Sequence, residues 1–125
     1  EMQKKYNWPS SIIGSTGKNN KERIIEATSI LGESYSFGMA VQSMSDKVLD
    51  NINRSNIKLD HYTAINSHLK KSGRNTLTEL IIGLPGETKE SFTNGLRDLI
   101  DAETDRLTIY TLMMLYGTEF KDQKY

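Results

Sequence analysis

Cysteine is absent from this 125-residue chain, and proline occurs only twice. Without cysteine there is no disulfide framework and no thiolate metal site. Charge of one sign is also lacking, because sixteen basic and sixteen acidic residues cancel to a formal net charge of zero. That balance sets up no broad field for nucleic acid or for an acidic membrane, so neither is expected as a partner. No apolar run approaches the roughly 18 residues of a membrane span. The opening residues Glu1-Met2-Gln3-Lys4-Lys5-Tyr6 lack the apolar core of a signal peptide, and a cytoplasmic domain is expected. The chain does not begin with methionine, which leads to the expectation that it is cut from something longer. Its length allows one domain with a sizeable core, but falls short of the roughly 250 residues of a closed eight-stranded α/β barrel.

What is present alternates between two periods. Ser11-Ile12-Ile13-Gly14 is a short strand candidate, followed by a polar loop through Asn20. Ile24, Ile25, Thr28 and Leu31 recur at helical spacing, with Gly32 placed for a left-handed cap. Tyr35 to Ser43 reads as a strand with one bulky face (Tyr35, Phe37, Met39, Val41) and one small face (Ser36, Gly38, Ala40, Gln42). Asp46 is placed to cap a helix carrying Val48, Leu49 and Ile52, and Asp60 to cap another carrying Ala64, Ile65 and Leu69 and closing at Gly73. A strand from Leu77 to Gly83 follows. Thr88 then caps a helix whose Phe92, Leu96, Leu99 and Ile100 form one stripe, interrupted by Gly95, and Leu107 to Leu115 is the last strand. Strands separated by helices indicate right-handed βαβ units, so the fold class expected is α/β: a partial, half TIM-type barrel of about four parallel strands alternating with helices.

In parallel α/β folds ligands sit at the C-terminal ends of the strands. Here those ends carry Gln42-Ser43, the run Gly83 to Glu87, and Tyr116 to Glu119. Along the third strand Glu79, Ile81 and Gly83 share one face, which lines up a carboxylate, an apolar wall and a gap. Gly83 and Gly86 permit close backbone approach, and Pro85 stiffens the turn between them. That turn suits a ligand site, or a tight strand-to-helix loop with no ligand. Glu79 is unusual because a carboxylate within an apolar parallel strand is costly unless it is paired. Gln42 adds an amide, and Arg54, read as closing the helix after Gln42, adds a guanidinium able to reach an anion. Together Gln42, Arg54, Glu79 and Ile81 suit a zwitterionic ligand with a flat ring.

Other patterns carry less. Gly14-Ser15-Thr16-Gly17-Lys18 has two residues between its glycines and Asn19 after its lysine, so it misses the phosphate-loop spacing. His61 and His68 are too far apart on one helix for a metal pair and are read as solvent-facing. Asn53-Arg54-Ser55 is taken as a chance sequon. Met39, Met44, Met113 and Met114 are read as core filling.

Three segments resemble the C-terminal half of the barrel core of the radical S-adenosylmethionine (SAM) enzymes. Gly38-Met39-Ala40-Val41-Gln42-Ser43 looks like the fourth-strand "G-x-Q-S" segment of that family, with Asn53-Arg54 in the next helix. Glu79 to Thr88 looks like its "I-x-G-L-P-G-E-T" turn, and Tyr110 to Glu119 like its sixth strand and following loop. The likeness covers roughly residues 20 to 119, and the Lys21-Glu22-Arg23 helix start and the run Arg54 to Asp60 are most similar to members with an upstream cobalamin-binding domain. The resemblance implies that Gln42 and Glu79 hydrogen-bond the ribose or amino group of SAM, Arg54 its carboxylate, and that Ile81 packs on adenine. Ser43 and Gly83 fall in the same cofactor-binding set. It also implies a [4Fe-4S] cluster, and cobalamin, in a parent protein, for reductive cleavage of SAM to a 5′-deoxyadenosyl radical.

The chain departs from that family in having no cysteine for the cluster and Tyr116 where proline is usual. Residues 1–125 are therefore expected to be one partial domain without the cluster-binding half, inactive alone. Its partners are expected to be a small-molecule cofactor and substrate, the missing half of the barrel, or a second copy paired through open sheet edges. The alternative is a non-catalytic α/β binding or scaffold domain.

Overall fold

The computed structural model describes residues 2–15, 21–31 and 34–117. Its elements run α1 (Met2–Tyr6), β1 (Ile12–Ser15), α2 (Lys21–Leu31), β2 (Tyr35–Gln42), α3 (Asp46–Asn51), α4 (Leu59–Lys71), β3 (Thr76–Ile82), α5 (Lys89–Asp101) and β4 (Arg106–Thr111). The strands form one sheet in the order β1-β2-β3-β4, and each neighbouring pair is parallel. The expected partial barrel of four parallel strands is what the chain forms. The short α1 has no counterpart in the sequence reading. β4 ends at Thr111 rather than Leu115, and the backbone ladder runs on only through Leu112, whose N–H donates to the Ile82 carbonyl at 2.9 Å.

The bulky face of β2 is the core face. Phe37, Met39 and Val41 pack with Leu80, Tyr62, Ile65, Leu69 and Leu99, all essentially buried. Each such side chain removed from water stabilises the fold by about 1.5–3 kcal/mol before entropy is counted. β3 sends Thr76 and Thr78 into the same layer, and their hydroxyls are satisfied there. Tyr62 bonds Thr78 and also Thr104, the latter at 2.7 Å, while Asn66 Nδ2 donates to the Ala102 carbonyl at 3.2 Å. At the N-terminal end of β3, the Thr76 amide and hydroxyl both donate to Asp105 Oδ2, and the Asp105 amide donates back to Thr76 Oγ1. These bonds clasp the start of β3 to the turn before β4.

Three helices stop in the same way. Beyond α3, α4 and α5 a left-handed residue follows the cap, namely Asn53, Gly73 and Glu103. In each case the next amide, of Arg54, Arg74 or Thr104, returns to a carbonyl five residues back, on Leu49, Leu69 or Leu99. Gly73 closes α4 as its position suggests. The helix starts are less regular. Thr88 caps α5 in a reciprocal pair with Ser91, as expected in part. Asp46 and Asp60 do not cap: Ser45 and Lys58 hold those positions without a side-chain bond, and each aspartate sits inside the first turn. There it still complements the helix dipole, which is the physical reason acidic residues gather at either place.

Two apolar stripes are narrower than their spacing suggests. In α2 only Ile24 joins the core while Leu31 is exposed; the Thr28 side chain and Gly32 lie outside what is described. In α5 Ile100 is 63% exposed, and the stripe is Phe92, Leu96 and Leu99, with Gly95 buried among them. A Cβ at Gly95 would lie 3.0 Å from Met44 Cβ, so this glycine admits a neighbour rather than merely weakening the helix.

Candidate functional site

The C-terminal end of β2 departs from a regular strand. Ala40 pairs with Glu79, but Gln42 pairs with Leu80, so Val41 and Gln42 together oppose one residue. Gln42 has φ 59, and the Ser43 amide donates to the Val41 carbonyl across it at 2.7 Å. A three-residue turn with positive φ at a non-glycine centre is rare and strained. Half-buried Gln42 thus stands at a bend, not in the plain alternation that the sequence suggests.

Beside it, β3 presents half-buried Leu77, Glu79 and Ile81 on the face away from the helices. In register, Glu79 lies between Ala40 and Thr108, and Ile81 lies beside Tyr110. On the β2 side the neighbours are small: Ala40 is half-buried, while Gly38 is buried with Leu77 Cδ2 and Ser15 Oγ within 4 Å of where a Cβ would stand. Thr108 and Tyr110 extend the row onto β4, and Tyr110 is half exposed. Their alternation in the last strand was a usable signal that the sequence reading did not take up.

Gly83 follows β3 with φ 89. Leu84 to Glu87 then makes a turn closed by the Glu87 amide on the Leu84 carbonyl at 3.0 Å, with Pro85 second and Gly86, φ 79, third. Proline followed by glycine is the combination that a type II turn requires. Two side chains hold this turn from outside. Asn51 Nδ2, on α3, donates to the Pro85 carbonyl at 2.9 Å, and Ser43 Oγ donates to Glu87 Oε1 at 2.8 Å.

Ser43 is therefore buried and engaged with Glu87, while its carbonyl accepts from Asn56 Nδ2 at 3.0 Å. α3 ends at Asn51; the Arg54 amide makes the closing bond to the Leu49 carbonyl, and the Arg54 side chain lies exposed beyond the cap. Hence Gln42, Glu79, Ile81 and Gly83 gather on adjoining strand ends, Ser43 is committed to the turn, and Arg54 stands on the flanking linker. Glu87 and Asn51 were missed, because both read as ordinary loop and helix polar groups. Burial pushes the Glu87 carboxyl above its ordinary value, partly opposed by the Ser43 hydrogen bond, and its Oε2 is buried without a partner.

A cavity of about 450 Å³ opens at these ends between Asn51, Gly83, Pro85, Gly86, Leu112 and Met114. Met113 and Met114 are 72% and 62% exposed, which corrects the expectation of core filling; Met39 is buried and Met44 packs on the core. The reason is that β4 stops before them. His61 is exposed as expected, whereas His68 is half-buried. Thr118 and Glu119, and the Thr16 to Asn20 loop, lie outside the described residues.

The donor set separates two of the three cofactors that the resemblance implies, SAM and the cluster. With no cysteine in the sequence, and no grouping of three His, Asp or Glu able to hold a metal among the described residues, the chain does not fit a [4Fe-4S] cluster. A half-buried carboxylate, an amide and an apolar wall at parallel strand ends do fit a polar adenosyl ligand.

In fold, the chain is similar to coproporphyrinogen III oxidase (HemN) from Escherichia coli, a radical SAM enzyme, with a TM-score of 0.70 and 24% identity over 84% of this chain and 24% of that one. The architecture is thus a partial barrel of the radical SAM type. In sequence, the chain is 31% identical over 111 residues to the cobalamin-dependent radical SAM methyltransferase TokK of Streptomyces tokunonensis, covering 86% of this chain and 16% of TokK. It is also 31% identical over 97 residues to the 2-(S-pantetheinyl)-carbapenam-3-carboxylate methyltransferase of Streptantibioticus cattleyicolor, covering 75% of this chain and 14% of that enzyme. No protein-family model matches the chain. By sequence and fold together it is a stretch of a radical SAM barrel core, related to cobalamin-dependent members.

Proposed function

We propose that residues 1–125 act as the SAM-positioning part of a radical SAM barrel and have no activity by themselves. The observation that carries this reading is the placing of Glu79 between Ala40 and Thr108, on the open face of the sheet and next to the bend at Gln42. A carboxylate so placed, with no alkyl neighbour larger than alanine on the β2 side, accepts hydrogen bonds from ribose hydroxyls or an ammonium group. Gln42 supplies an amide for the same ligand, Ile81 an apolar wall for adenine, and Gly83 close backbone approach. Ser43 acts through the turn rather than by contact, and Arg54 meets the ligand carboxylate from the linker. When bound, SAM would supply a methyl group or, on taking one electron from a reductant held outside this chain, a 5′-deoxyadenosyl radical with release of methionine; the residues of this chain orient it and shield it from water.

The relatives TokK and the carbapenam methyltransferase support cobalamin-dependent methyl transfer to a small molecule as the activity of a whole protein containing this stretch. A cluster and cobalamin would be held by residues outside it.

Titration calorimetry of the chain with SAM tests the proposal. Binding is expected, with a loss of at least tenfold in Glu79→Ala, and no 5′-deoxyadenosine is expected under reducing conditions. Unchanged affinity in Glu79→Ala would remove the basis of the reading, and release of 5′-deoxyadenosine by this chain alone would contradict its inactivity.

A further inference from the structure

We infer that Glu87 is a positioning residue, which sets the glycine turn after β3 against the bend after β2 without touching the ligand. This rests on the SAM reading above. The geometry behind it is a two-point attachment. At one point, Ser43 Oγ reaches Glu87 Oε1 at 2.8 Å, across 44 residues of sequence. At the other, Asn51 Nδ2 reaches the Pro85 carbonyl at 2.9 Å, across 34. The segment they hold, Gly83 to Gly86, contains two residues in left-handed backbone conformations, one proline and the buried side chain of Leu84, so its shape is specified internally and one apolar side chain anchors it. The two side-chain bonds fix it against the bend after β2.

The attachment is built into the packing. Ser43 is buried, its hydroxyl also accepts the Ser45 amide at 3.2 Å, and its carbonyl is held by Asn56. The hydroxyl is thereby oriented with its proton toward Glu87. At the other point Gly86 has φ 79, which favours glycine, and a Cβ there would clash with Asn51 Nδ2 and push the asparagine off the Pro85 carbonyl. Ser43 follows Gln42 directly, and Glu87 lies four residues beyond Gly83, so the Ser43 to Glu87 bond joins the two ligand-facing backbones through one link. Glu87 is also costly where it stands: it carries a buried oxygen with no partner, and a carboxylate kept so is retained against its own desolvation. A function in holding the turn accounts for that cost.

Two measurements on the full chain test the inference. The first is SAM affinity by calorimetry in Glu87→Ala, Glu87→Gln, Ser43→Ala and the Ser43→Ala/Glu87→Ala pair. Glu87→Ala is expected to weaken binding about tenfold, and Glu87→Gln, whose amide oxygen still accepts from Ser43, less than about threefold. The double variant is expected to be no weaker than Glu87→Ala alone, since one link is broken only once. The second is backbone amide exchange by NMR, which needs no ligand. Exchange is expected to quicken at Gly83, Leu84, Gly86 and Glu87 in Glu87→Ala while Leu80 and Leu99 stay protected.

Unchanged SAM affinity in Glu87→Ala, additive losses in the double variant, or faster exchange spread evenly over the core would each overturn the inference. If the wild-type chain binds no SAM, the cofactor reading fails, and the positioning role stands or falls on whether exchange quickens in the turn alone.

Discussion

Gln42 shows how a single residue can be poorly suited to its backbone and well suited to a site. Holding a non-glycine side chain in the left-handed region costs roughly 1–2 kcal/mol, and φ at Gln42 is 59. Gln42→Gly is therefore expected to raise the urea midpoint, by a stability gain of about 1 kcal/mol, while weakening SAM binding through loss of the amide. A fall in stability would show that the Gln42 side chain contributes more than its backbone costs. Glu87 has the opposite sign problem with pH. Its folded-state pKa is raised above the ordinary 4.5, so between those values the folded chain holds a proton that the unfolded chain has released. Stability from this group is full below the ordinary value and is lost as pH rises through the folded one. Urea midpoints of the wild type should fall from Glu87 as pH rises from about 4.5 toward neutrality, and Glu87→Gln should remove that part of the slope.

Among the elements, β2, β3 and α5 were largely legible, and α2 was legible as a helix but not in which of its apolar residues reach the core. The two faces of β2 differ so much in side-chain volume that Phe37, Met39 and Val41 could only be core. Thr88 and the glycine-proline turn announced the start of α5 through local chemistry. Registers and bends depend on partners distant in sequence, so neither the bulge opposite Leu80 nor the Ser43 to Glu87 bond could be read from spacing. Gly95 was misread for the same reason, since its role comes from Met44 across the interface. On propensity alone Gly95→Ala should stabilise α5 by about 1 kcal/mol. With Met44 Cβ at 3.0 Å, overpacking of about 1–3 kcal/mol should prevail, and thermal melts are expected to show net destabilisation. In a Met44→Gly background the same change should become favourable; destabilisation there too would refute the contact as the cause.

The molecule as a whole is a sheet with one face covered by helices and the other open. Among the described residues β1 and β4 each pair on one side only, and exposed Ile13, Ile109 and Tyr110 lie on these edge strands. Edges of this kind recruit further strands. Sedimentation at increasing concentration is expected to show association, and Ile109→Lys is expected to shift the chain toward monomer. A wild-type chain that stays monomeric throughout would argue that its edges are covered by its own residues. The candidate site lies at the C-terminal ends of the strands, and the Thr76 to Asp105 clasp at the opposite ends.

That clasp also bears on how the fold comes apart. It fastens the base of the β3-α5-β4 unit, which the β3–β4 ladder then runs up from Leu77 to Ile82, so the unit can open only after a buried threonine and its carboxylate separate. Residues 76–111 should consequently lose protection against hydrogen exchange as one cooperative block, and late, while β1 frays first. In Asp105→Ala the block is expected to divide, with the amides of β4 exchanging ahead of those of β3. The part of the sheet bearing Glu79 and Ile81 would then be the last to melt in the intact chain, leaving half of the ligand surface formed in a largely unfolded molecule.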